Sequence, residues 1–424
     1  MITGRCDCGV QYAVKRGGSA VGYCALSIRC GTRSEAGYSG GKRDTDGFHS
    51  GIAHFTEHAV FKGTGKRNAA AVSSCLDKLG GELNAYTTKE EIVLHATVLK
   101  EDLRKAASLL FELVTSPSFP EQEIETERGV IIDEINSYKD SPSEEVYDKF
   151  EEMLFEGHPL SGPILGTVSS VRKITREELL RFVHDKFIPV NMAFTVVADL
   201  PEEKLEKSVK RLVSEYFASA ASCHQESNGI ISRPAPFRQA RGFDVTKNKR
   251  NHQVNCVLGT AAPSLYDGDR RIAAVLLSNL LGGPASNSIL NSVLREKNGW
   301  VYGVECSYTQ YSDTGIMAIC LGCEKDNLDK CLKAIWKELE RLKKEPISER
   351  RLKSAKKQLL GQLAISGDNG ETQCLSMGKS LLAYGTVVSP EESRRMVESV
   401  TAARLQDLSC ELFDRASMSM LTFI

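Results

Sequence analysis

Alternation and helical periodicity of the apolar positions predict the elements of the first half of the chain. In VGYCALSIRCGT, residues 21–32, every second residue from Cys24 to Cys30 is apolar and faces one way, which predicts a strand. The other predicted strands are 91–99 and 192–199, and the predicted helices are 51–62, 68–79, 101–115, 120–139 and 175–186. The segment GGELNAYT before the second strand is typical of a turn.

A similar order returns in the second half. The predicted strands there are 252–260, 302–309 and 315–322, and the predicted helices are 270–281, 287–297 and 325–343. Strand, helix, helix, strand and helix in each half, with a period of roughly 220 residues, indicate a domain duplication. Residues 217–244 lack apolar periodicity and are rich in Ser, Ala, Pro and Arg, which predicts a linker. We therefore predict an α+β fold with two homologous domains, 1–216 and 245–424.

Composition excludes several classes of protein. The 424 residues are 41% hydrophobic and 26% charged with a net charge of −1, so no basic field would recruit nucleic acid. No run of about 18 apolar residues predicts a membrane span, and the N-terminal segment lacks the apolar region of a signal peptide. Thirteen unclustered cysteines are typical of reduced thiols. We expect a cytoplasmic protein that binds neither nucleic acid nor membrane.

The chemically informative stretch is GIAHFTEHAVFKGT, residues 51–64. On a helix, His54 and His58 lie on one face because they are four residues apart, and Glu57 lies beside them. Catalytic zinc commonly takes two imidazoles and one carboxylate and keeps a position for water. The alternative is two half-buried helix histidines beside a solvated glutamate. The pattern predicts a metal site that needs one more acidic ligand.

The predicted helix 120–139 supplies that acid. Ile124, Ile131, Ile135 and Tyr138 form an apolar stripe, and Glu127 and Glu134 fall on it. An unpaired carboxylate on a buried stripe is costly, so these two glutamates need a cation or a polar partner. Glu134 as a metal ligand and Glu127 as the carboxylate behind a ligand would meet that need. The alternative is a helix edge where both side chains reach water.

Glu57 then has a chemical role. Zinc lowers the pKa of a bound water toward about 7, and an adjacent carboxylate can take its proton. The nucleophile would attack a carbonyl, nearby donors would hold the oxyanion, and Glu57 would return the proton to the leaving amine. His95, which alternates within a predicted strand, is interpreted as a structural histidine.

The His-x-x-Glu-His order, followed by GGELNAYTTKE, ERGVIIDEI and HPLSGPILGT, resembles the inverzincin peptidases, the family of pitrilysin, insulin-degrading enzyme and the mitochondrial processing peptidase. The resemblance covers nearly the whole chain, and the sequence spacing from His58 to Glu134 matches the spacing that the family has between its second histidine and its third zinc ligand. It implies zinc, one ion per chain, held by His54, His58 and Glu134. It also implies that Glu57 is the base and Glu127 its supporting glutamate.

The resemblance implies further site residues. Arg295 and Tyr302, within LREKNGWVYGVECSYTQYSDTGIMAI, match the pair that engages substrate near the metal. Asn84, Ala85 and Tyr86 match an edge strand along which a peptide substrate pairs. From the residues alone, Asn84 is interpreted as a turn residue, and Arg295 and Tyr302 as a surface ion pair and a strand aromatic. The family's glycine-rich loop ends in a serine-arginine pair, but LLGGPASNSIL has no arginine.

These features predict a zinc-dependent metalloendopeptidase that hydrolyses peptides or unfolded segments. The family builds a hollow shell of four such domains, so a chain of two domains implies a homodimer. One rival is a non-catalytic scaffold like the core subunits of respiratory complexes, whose ligands are degenerate. Another is a specialised precursor-processing peptidase with a different partner subunit.

Overall fold

The computed structural model describes residues 1–35, 47–218, 235–237, 239, 241–249 and 252–424, and the backbone of two short strands between residues 38 and 43. The chain forms two compact units, and each combines helices with a sheet, so the α+β prediction is confirmed. The first unit is Met1–Asn136, Gly157–Ile231 and Ile365–Val388, and the second is Ser137–Glu156, Ser232–Ala364 and Ser389–Ile424. Much of the predicted linker, residues 219–234, 238 and 240, lies outside the described residues, and the predicted domain boundaries stay a prediction.

The first unit is built on a six-stranded sheet with the order β1-β2-β8-β3-β7-β6. Its neighbouring strands are antiparallel except β2 and β8, which are parallel. The strands are β1 Ile2–Arg5, β2 Gln11–Arg16, β3 Val21–Ile28, β6 Glu82–Thr87, β7 Ile92–Leu99 and β8 Met192–Ala198, and a separate hairpin is formed by β4 Tyr38–Ser39 and β5 Lys42–Arg43. Strand β6 lies at one edge of the sheet and hydrogen-bonds to β7 alone among the strands of the described residues.

Amphipathic helices cover this sheet. In α3, Ala106, Leu109, Leu110 and Leu113 are buried at helical spacing and belong to the main core of the unit. The helices are α1 Ile52–Val60, α2 Ala69–Asp77, α3 Leu103–Thr115, α4 Glu121–Lys139, α6 Val168–Val171, α7 Arg176–Lys186, α8 Glu202–Phe217 and α12 Gly370–Tyr384.

The second unit has a five-stranded sheet with the order β11-β12-β10-β13-β9, in which only β13 and β9 run parallel. The strands are β9 Asp244–Lys247, β10 Val254–Ala262, β11 Val301–Gln310, β12 Gly315–Cys323 and β13 Ser419–Phe423. The helices are α5 Pro142–Leu154, α9 Gly268–Gly282, α10 Leu328–Lys344, α11 Glu349–Ser366, α13 Pro390–Ser399 and α14 Ala402–Leu412. Among the described helices of both units, none is long and apolar enough to cross a membrane.

Three predicted elements differ from the structure. The strand predicted at 21–32 ends at Ile28, because Gly31 and the short 3₁₀ turn Thr32–Ser34 follow it. The helix predicted at 287–297 is a π-helical turn, Asn291–Glu296. The interpretation of GGELNAYT as a turn was wrong: only Gly80, with φ +66°, takes a turn conformation, and the residues after Gly81 form β6.

The start of α1 is fixed by a buried carboxylate. Gly51 precedes the helix with φ +92°, and a Cβ there would come within 2.7 Å of the carbonyl oxygen of Leu165. No side chain of the helix caps its first turn. Instead, Oε2 of Glu35 accepts a hydrogen bond from the amide of Gly51 and Oε1 accepts one from the amide of Ala53, each at 3.0 Å. A negative charge at a helix N-terminus is stabilising, so Glu35 fixes where the helix begins.

Replacing Glu35 by Ala is therefore expected to loosen the first turn of α1. Each hydrogen bond to a charged group contributes about 1.5–3 kcal/mol, so amide exchange in residues 51–58 should rise by at least tenfold, measured by hydrogen exchange and mass spectrometry. Glu125→Ala, at an exposed position of α4, is the matched control. Fluorescence of the two tryptophans, Trp300 and Trp336 of the second unit, should stay unchanged. Wild-type exchange in Glu35→Ala would contradict the capping role.

Candidate metal and catalytic site

Helix α1 presents the two histidines of the sequence motif side by side. The rings of His54 and His58 have centroids 4.5 Å apart, as expected for side chains one turn apart on one face. His54 is buried, and His58 is partly exposed. Both rings therefore form part of one surface, open to solvent on the His58 side.

Helix α4 brings a carboxylate to these rings. Oε2 of Glu134 lies 3.7 Å from Nε2 of His54 and 3.7 Å from Nε2 of His58. One donor atom from each of the three residues lies within 4.8 Å of the other two, and no second cluster of this kind was found in the described part of the chain. Zinc bonds of about 2.0–2.2 Å at tetrahedral angles hold neighbouring ligand atoms about 3.4 Å apart. The spacing therefore fits a zinc ion with these three ligands.

Glu127 determines which nitrogen of His58 is free. Its Oε1 lies 2.8 Å from Nδ1 of His58, and its Oε2 lies 2.6 Å from Nζ of Lys62. Burial of Glu127 opposes its ionisation, but the bonds to His58 and Lys62 outweigh burial and lower the pKa of the carboxyl. A carboxylate that accepts from Nδ1–H leaves the Nε2 lone pair for a metal, which is the usual arrangement behind a metal-ligating histidine.

The two histidines have different electrostatic surroundings. Burial, helped by the nearby His58, lowers the pKa of His54 to about 3, so its ring is neutral at pH 7, as a metal ligand must be. Burial also acts to lower the pKa of His58, but the hydrogen bond to Glu127 and the nearby charges of Glu57 and Glu134 outweigh it and raise the pKa. The cluster of carboxylates therefore attracts positive charge to this position, whether a proton or a metal ion.

Glu57 lies beside the donor cluster without belonging to it. Its Oε2 accepts a hydrogen bond from Oγ1 of Thr87 on β6 at 2.7 Å. Burial raises the pKa of Glu57, although the bond from Thr87 and the charge of His58 oppose the shift. A carboxyl group that is half-buried, oriented by one oxygen and more basic than usual suits a proton acceptor.

The edge strand β6 carries the three residues that the resemblance implies for substrate pairing. Asn84 is exposed, Ala85 and Tyr86 are half-buried, and they pair with His95, Leu94 and Val93 of β7 in an antiparallel register. Because β6 is an edge strand, its outer side is open to an added strand. The substrate role of these residues stays a prediction.

Arg295 and Tyr302 belong to the second unit. Arg295 is exposed on the π-helical turn, and Tyr302 is 56% exposed at the start of β11. The hydroxyl of Tyr302 donates to Glu324, which raises the pKa of the tyrosine. The two side chains are available to a ligand, and their role near a metal stays a prediction.

The altered glycine-rich loop follows α9. A Cβ on Gly282 would come within 2.5 Å of the amide nitrogen of Cys306, so β11 packs directly against this glycine. Asn291 donates to the carbonyl oxygen of Gly283 and to Oγ of Ser288, which closes the loop. Asn291 therefore holds this loop closed. The loop sequence lacks the serine-arginine pair that is typical of the family the chain resembles.

Sequence reasoning missed three residues that position the site: Lys62, Thr87 and Glu35. Lys62 lies four residues after His58, so helical spacing indicates that it reaches the same carboxylate. Thr87 alternates with Tyr86 on β6 and could have been assigned to the opposite face once that segment was taken as a strand. No local pattern predicts that Glu35 caps α1, because 16 residues separate Glu35 from Gly51 along the chain.

Comparison with known proteins finds relatives along most of the chain. Residues 15–168 match the family model described as insulinase, peptidase family M16, and residues 173–359 match the model of the peptidase M16 inactive domain. A protein named an uncharacterized zinc protease from Rickettsia bellii is 28% identical over 89% of this chain and 89% of its own length. One of the same name from Mycobacterium tuberculosis is 29% identical over 88% of this chain and 84% of its own.

Solved structures share the fold along the whole chain. A protease from Helicobacter pylori superposes with a TM-score of 0.87 and 20% identity, covering 100% of this chain and 98% of the other. A peptidase M16 inactive domain from Pseudomonas fluorescens gives a TM-score of 0.85 at 20% identity, with coverage of 100% and 97%. The two family models, which match residues 15–168 and 173–359, and the relatives named zinc proteases show that the chain belongs to the insulinase family of peptidases, M16.

Proposed function

We propose that this chain is a zinc-dependent metalloendopeptidase that hydrolyses peptides or unfolded segments. The observation that carries the proposal is the convergence of His54, His58 and Glu134, with donor atoms within 4.8 Å of one another and Glu57 alongside. Relatives along nearly the whole chain are named zinc proteases, which supports both the metal and the reaction class.

The residues of the site have separate roles in amide hydrolysis. His54, His58 and Glu134 hold one zinc ion, which when bound supplies positive charge that polarises the attacking water and the substrate carbonyl. Glu57 accepts a proton from that water through Oε1, because Oε2 is held by Thr87. It then returns the proton to the leaving nitrogen as the C–N bond breaks, which yields a free amine and a carboxylic acid.

An extended substrate would bind by adding a strand to the sheet. The open edge of β6 offers backbone hydrogen bonds to any peptide in an extended conformation, whatever its sequence. Side chains of Asn84 and Tyr86 would flank alternate positions on one face of the added strand, and Ala85 would flank the other face. This mode requires an unfolded segment, so peptides are preferred over stable folded proteins.

The proposal includes a homodimer with composite sites. Arg295 and Tyr302 are exposed in the second unit, in the half that matches the inactive-domain model and lacks the zinc motif. The family resemblance implies that in four-domain members the equivalent pair reaches the metal from the opposite side of the shell. A two-domain chain would reproduce that arrangement if each metal received the pair from its partner in a closed two-fold dimer.

Two alternatives make different demands on the residues. A non-catalytic scaffold needs no metal ligands, and the convergence of all three donors with Glu57 favours an enzyme. In a processing peptidase with a different partner subunit, this chain would need to supply only the zinc donors and Glu57, or only the Arg295 and Tyr302 pair. Zinc donors, Glu57, Arg295 and Tyr302 on one chain favour self-association.

The proposed compartment is the cytoplasm. Each cysteine in the described part of the chain is free, and most are buried in the cores as small apolar side chains. Reduced thiols of this kind are typical of proteins that fold in a reducing environment.

Replacing Glu57 by Gln should abolish most turnover but keep about one zinc per chain, because the amide cannot accept the proton and the donors are untouched. Loss of a general base typically lowers the rate by about 10²–10⁴-fold. Turnover is measured on a fluorogenic peptide and zinc by elemental analysis of protein reloaded with the metal.

Three variants bracket this prediction. His58→Ala should lose the zinc, whereas His184→Ala, at an exposed position of α7, should keep both metal and activity. Glu125→Gln, an exposed glutamate of α4, is the matched control for the charge change. Near-normal hydrolysis by Glu57→Gln would show that the base lies elsewhere, and a wild type without stoichiometric zinc would refute the metal site.

Mixed dimers test the composite site. Glu57→Gln and Tyr302→Phe should each be nearly inactive alone, yet a mixed dimer has one site with intact Glu57 from one chain and intact Tyr302 from the other. Half of the dimers are mixed after random exchange and half of their sites are complete, so roughly a quarter of wild-type activity should return. The measurement is peptide hydrolysis by the unfractionated co-expressed protein, and mixed dimers isolated through two different tags should reach roughly half of wild-type activity. Inactive mixed dimers would show that Tyr302 acts within its own chain.

A further inference from the structure

Helix α12 belongs to the first unit although the segments before and after it belong to the second. It packs against the sheet of the first unit through a polar contact at its centre: Oγ1 of Thr195 on β8 donates to the carbonyl oxygen of Cys374 at 2.9 Å. A Cβ on Gly378 would come within 2.5 Å of Oγ of Ser27, so the helix also lies close to β3. Its place on this face is therefore firmly fixed.

The N-terminal turn of α12 holds a histidine next to the edge strand. Oε1 of Glu371 lies 3.0 Å from Nδ1 of His95 on β7, within hydrogen-bonding distance. The His95 and Tyr86 rings make a T-shaped contact, with centroids 6.2 Å apart and an interplanar angle of 61°. Glu371, His95 and Tyr86 thus form a continuous contact from α12 through β7 to β6.

The alternation of β6 explains why this contact concerns the substrate edge. Tyr86 pairs with Val93 and packs against the apolar cluster that includes Val93 and Cys374, so it lies on the α12 face of the sheet. Ala85 packs against the other core, and Thr87 reaches Glu57 on the same face as Ala85. Strand β6 therefore presents Thr87, the hydrogen-bond partner of Glu57, on one face, and Tyr86, whose ring contacts His95, on the other face.

We propose that His95, held by Glu371, is a positioning residue that fixes the edge strand β6 for pairing with substrate. The proposal rests on the proposed function, because it assigns His95 to the peptide-binding edge. It corrects the interpretation of His95 as only structural. The ring of His95 limits the tilt of Tyr86, and the tilt of Tyr86 sets where the backbone groups of residues 84–86 meet an added strand.

Contacts other than that of His95 hold the turn of the β6–β7 hairpin, so the contribution of His95 to the position of β6 is local. Between β6 and β7, Arg33 pairs with Glu90 at 2.9 Å, and Nζ of Lys89 donates to the carbonyl oxygen of Gly162 at 2.6 Å. These contacts anchor residues 88–91, whereas the Asn84 end of β6 is held by pairing with β7, by Leu83 and Ala85 packed against the main core, and by His95 on the α12 face. Loss of the His95 ring should loosen that end without detaching the hairpin.

Peptide affinity in the Glu57→Gln background tests this role without turnover. The probes are a fluorescein-labelled unstructured peptide of about 15 residues, long enough to pair along β6, and its three-residue fragment. His95→Ala should weaken binding of the long peptide by about two- to tenfold, the range of one aromatic contact, and Glu371→Ala, which leaves that contact in place, should weaken it less than His95→Ala does. His95→Phe, which keeps the ring contact with Tyr86, should bind within twofold of the reference. Lys100→Met, which breaks an ion pair of similar exposure with Asp199, is the matched control.

Amide exchange of residues 83–87 gives a second readout that needs no ligand. It should rise in His95→Ala and stay at the reference level in His95→Phe and Lys100→Met, with zinc content unchanged in all of them. Reference-level exchange and affinity in His95→Ala would overturn the proposal, as would equal weakening of both peptides or loss of zinc. If the reference protein binds neither peptide, the proposed function fails, and the exchange measurement alone then decides whether His95 positions β6.

Discussion

The hydrogen bond between the buried Glu127 and the partly exposed His58, extended to Lys62 through the second carboxylate oxygen, is the interaction on which the rest of the site depends. Removing Glu127 would leave Nδ1 of His58 and the ammonium group of Lys62 without this carboxylate, which is unfavourable in a partly desolvated place. The pair ties α1 to α4 and directs Nε2 of His58 toward the site. Because Glu134 follows Glu127 by two helical turns, the same pair brings the third donor opposite the two imidazoles. One contact therefore sets the tautomer, the helix packing and the donor geometry together.

Helical periodicity predicted the helix faces on which the metal-site residues lie. The spacing of His54 and His58 places both on one face, and the apolar stripe of α4 places Glu127 and Glu134 toward the interior. The structure has both features, although the role of each residue as a ligand or base stays a proposal. Tyr138, assigned to the same stripe, is exposed because it lies at the end of the helix, beyond the core.

Features that depend on long-range contacts could not be predicted. Glu35 caps a helix 16 residues further along the chain, and α5 and α12 each join the unit to which their sequence neighbours do not belong. Neither choice has a signature in local periodicity, since an amphipathic helix buries the same face against either core. The segment GGELNAYT was misread for a related reason. Its two glycines indicate a turn, and only pairing with β7 turns the following residues into a strand.

Comparison of the two units separates chemistry from architecture. Both units build a mainly antiparallel sheet covered by helices, so the fold does not require the histidine motif. Helix α9 of the second unit contains no histidine, and most of its residues from Ile272 to Gly282 are buried in the core of that unit. The second unit keeps exposed groups such as Tyr302 at its surface instead. The proposed composite site would need this distribution, with the metal donors in the first unit and the exposed substrate-binding groups in the second.

X-ray absorption at the zinc edge of the reloaded protein tests the central claim most directly, because it reports the ligand atoms themselves. The account predicts two imidazole nitrogens at about 2.0–2.1 Å and oxygen at about 2.0–2.2 Å, with no sulfur. Glu134→Gln should reduce zinc affinity, since it replaces a charged ligand by a neutral one. The chain also contains many free cysteines, which provide the natural alternative. Sulfur at about 2.3 Å, or a shell without imidazole, would contradict the assignment of His54, His58 and Glu134.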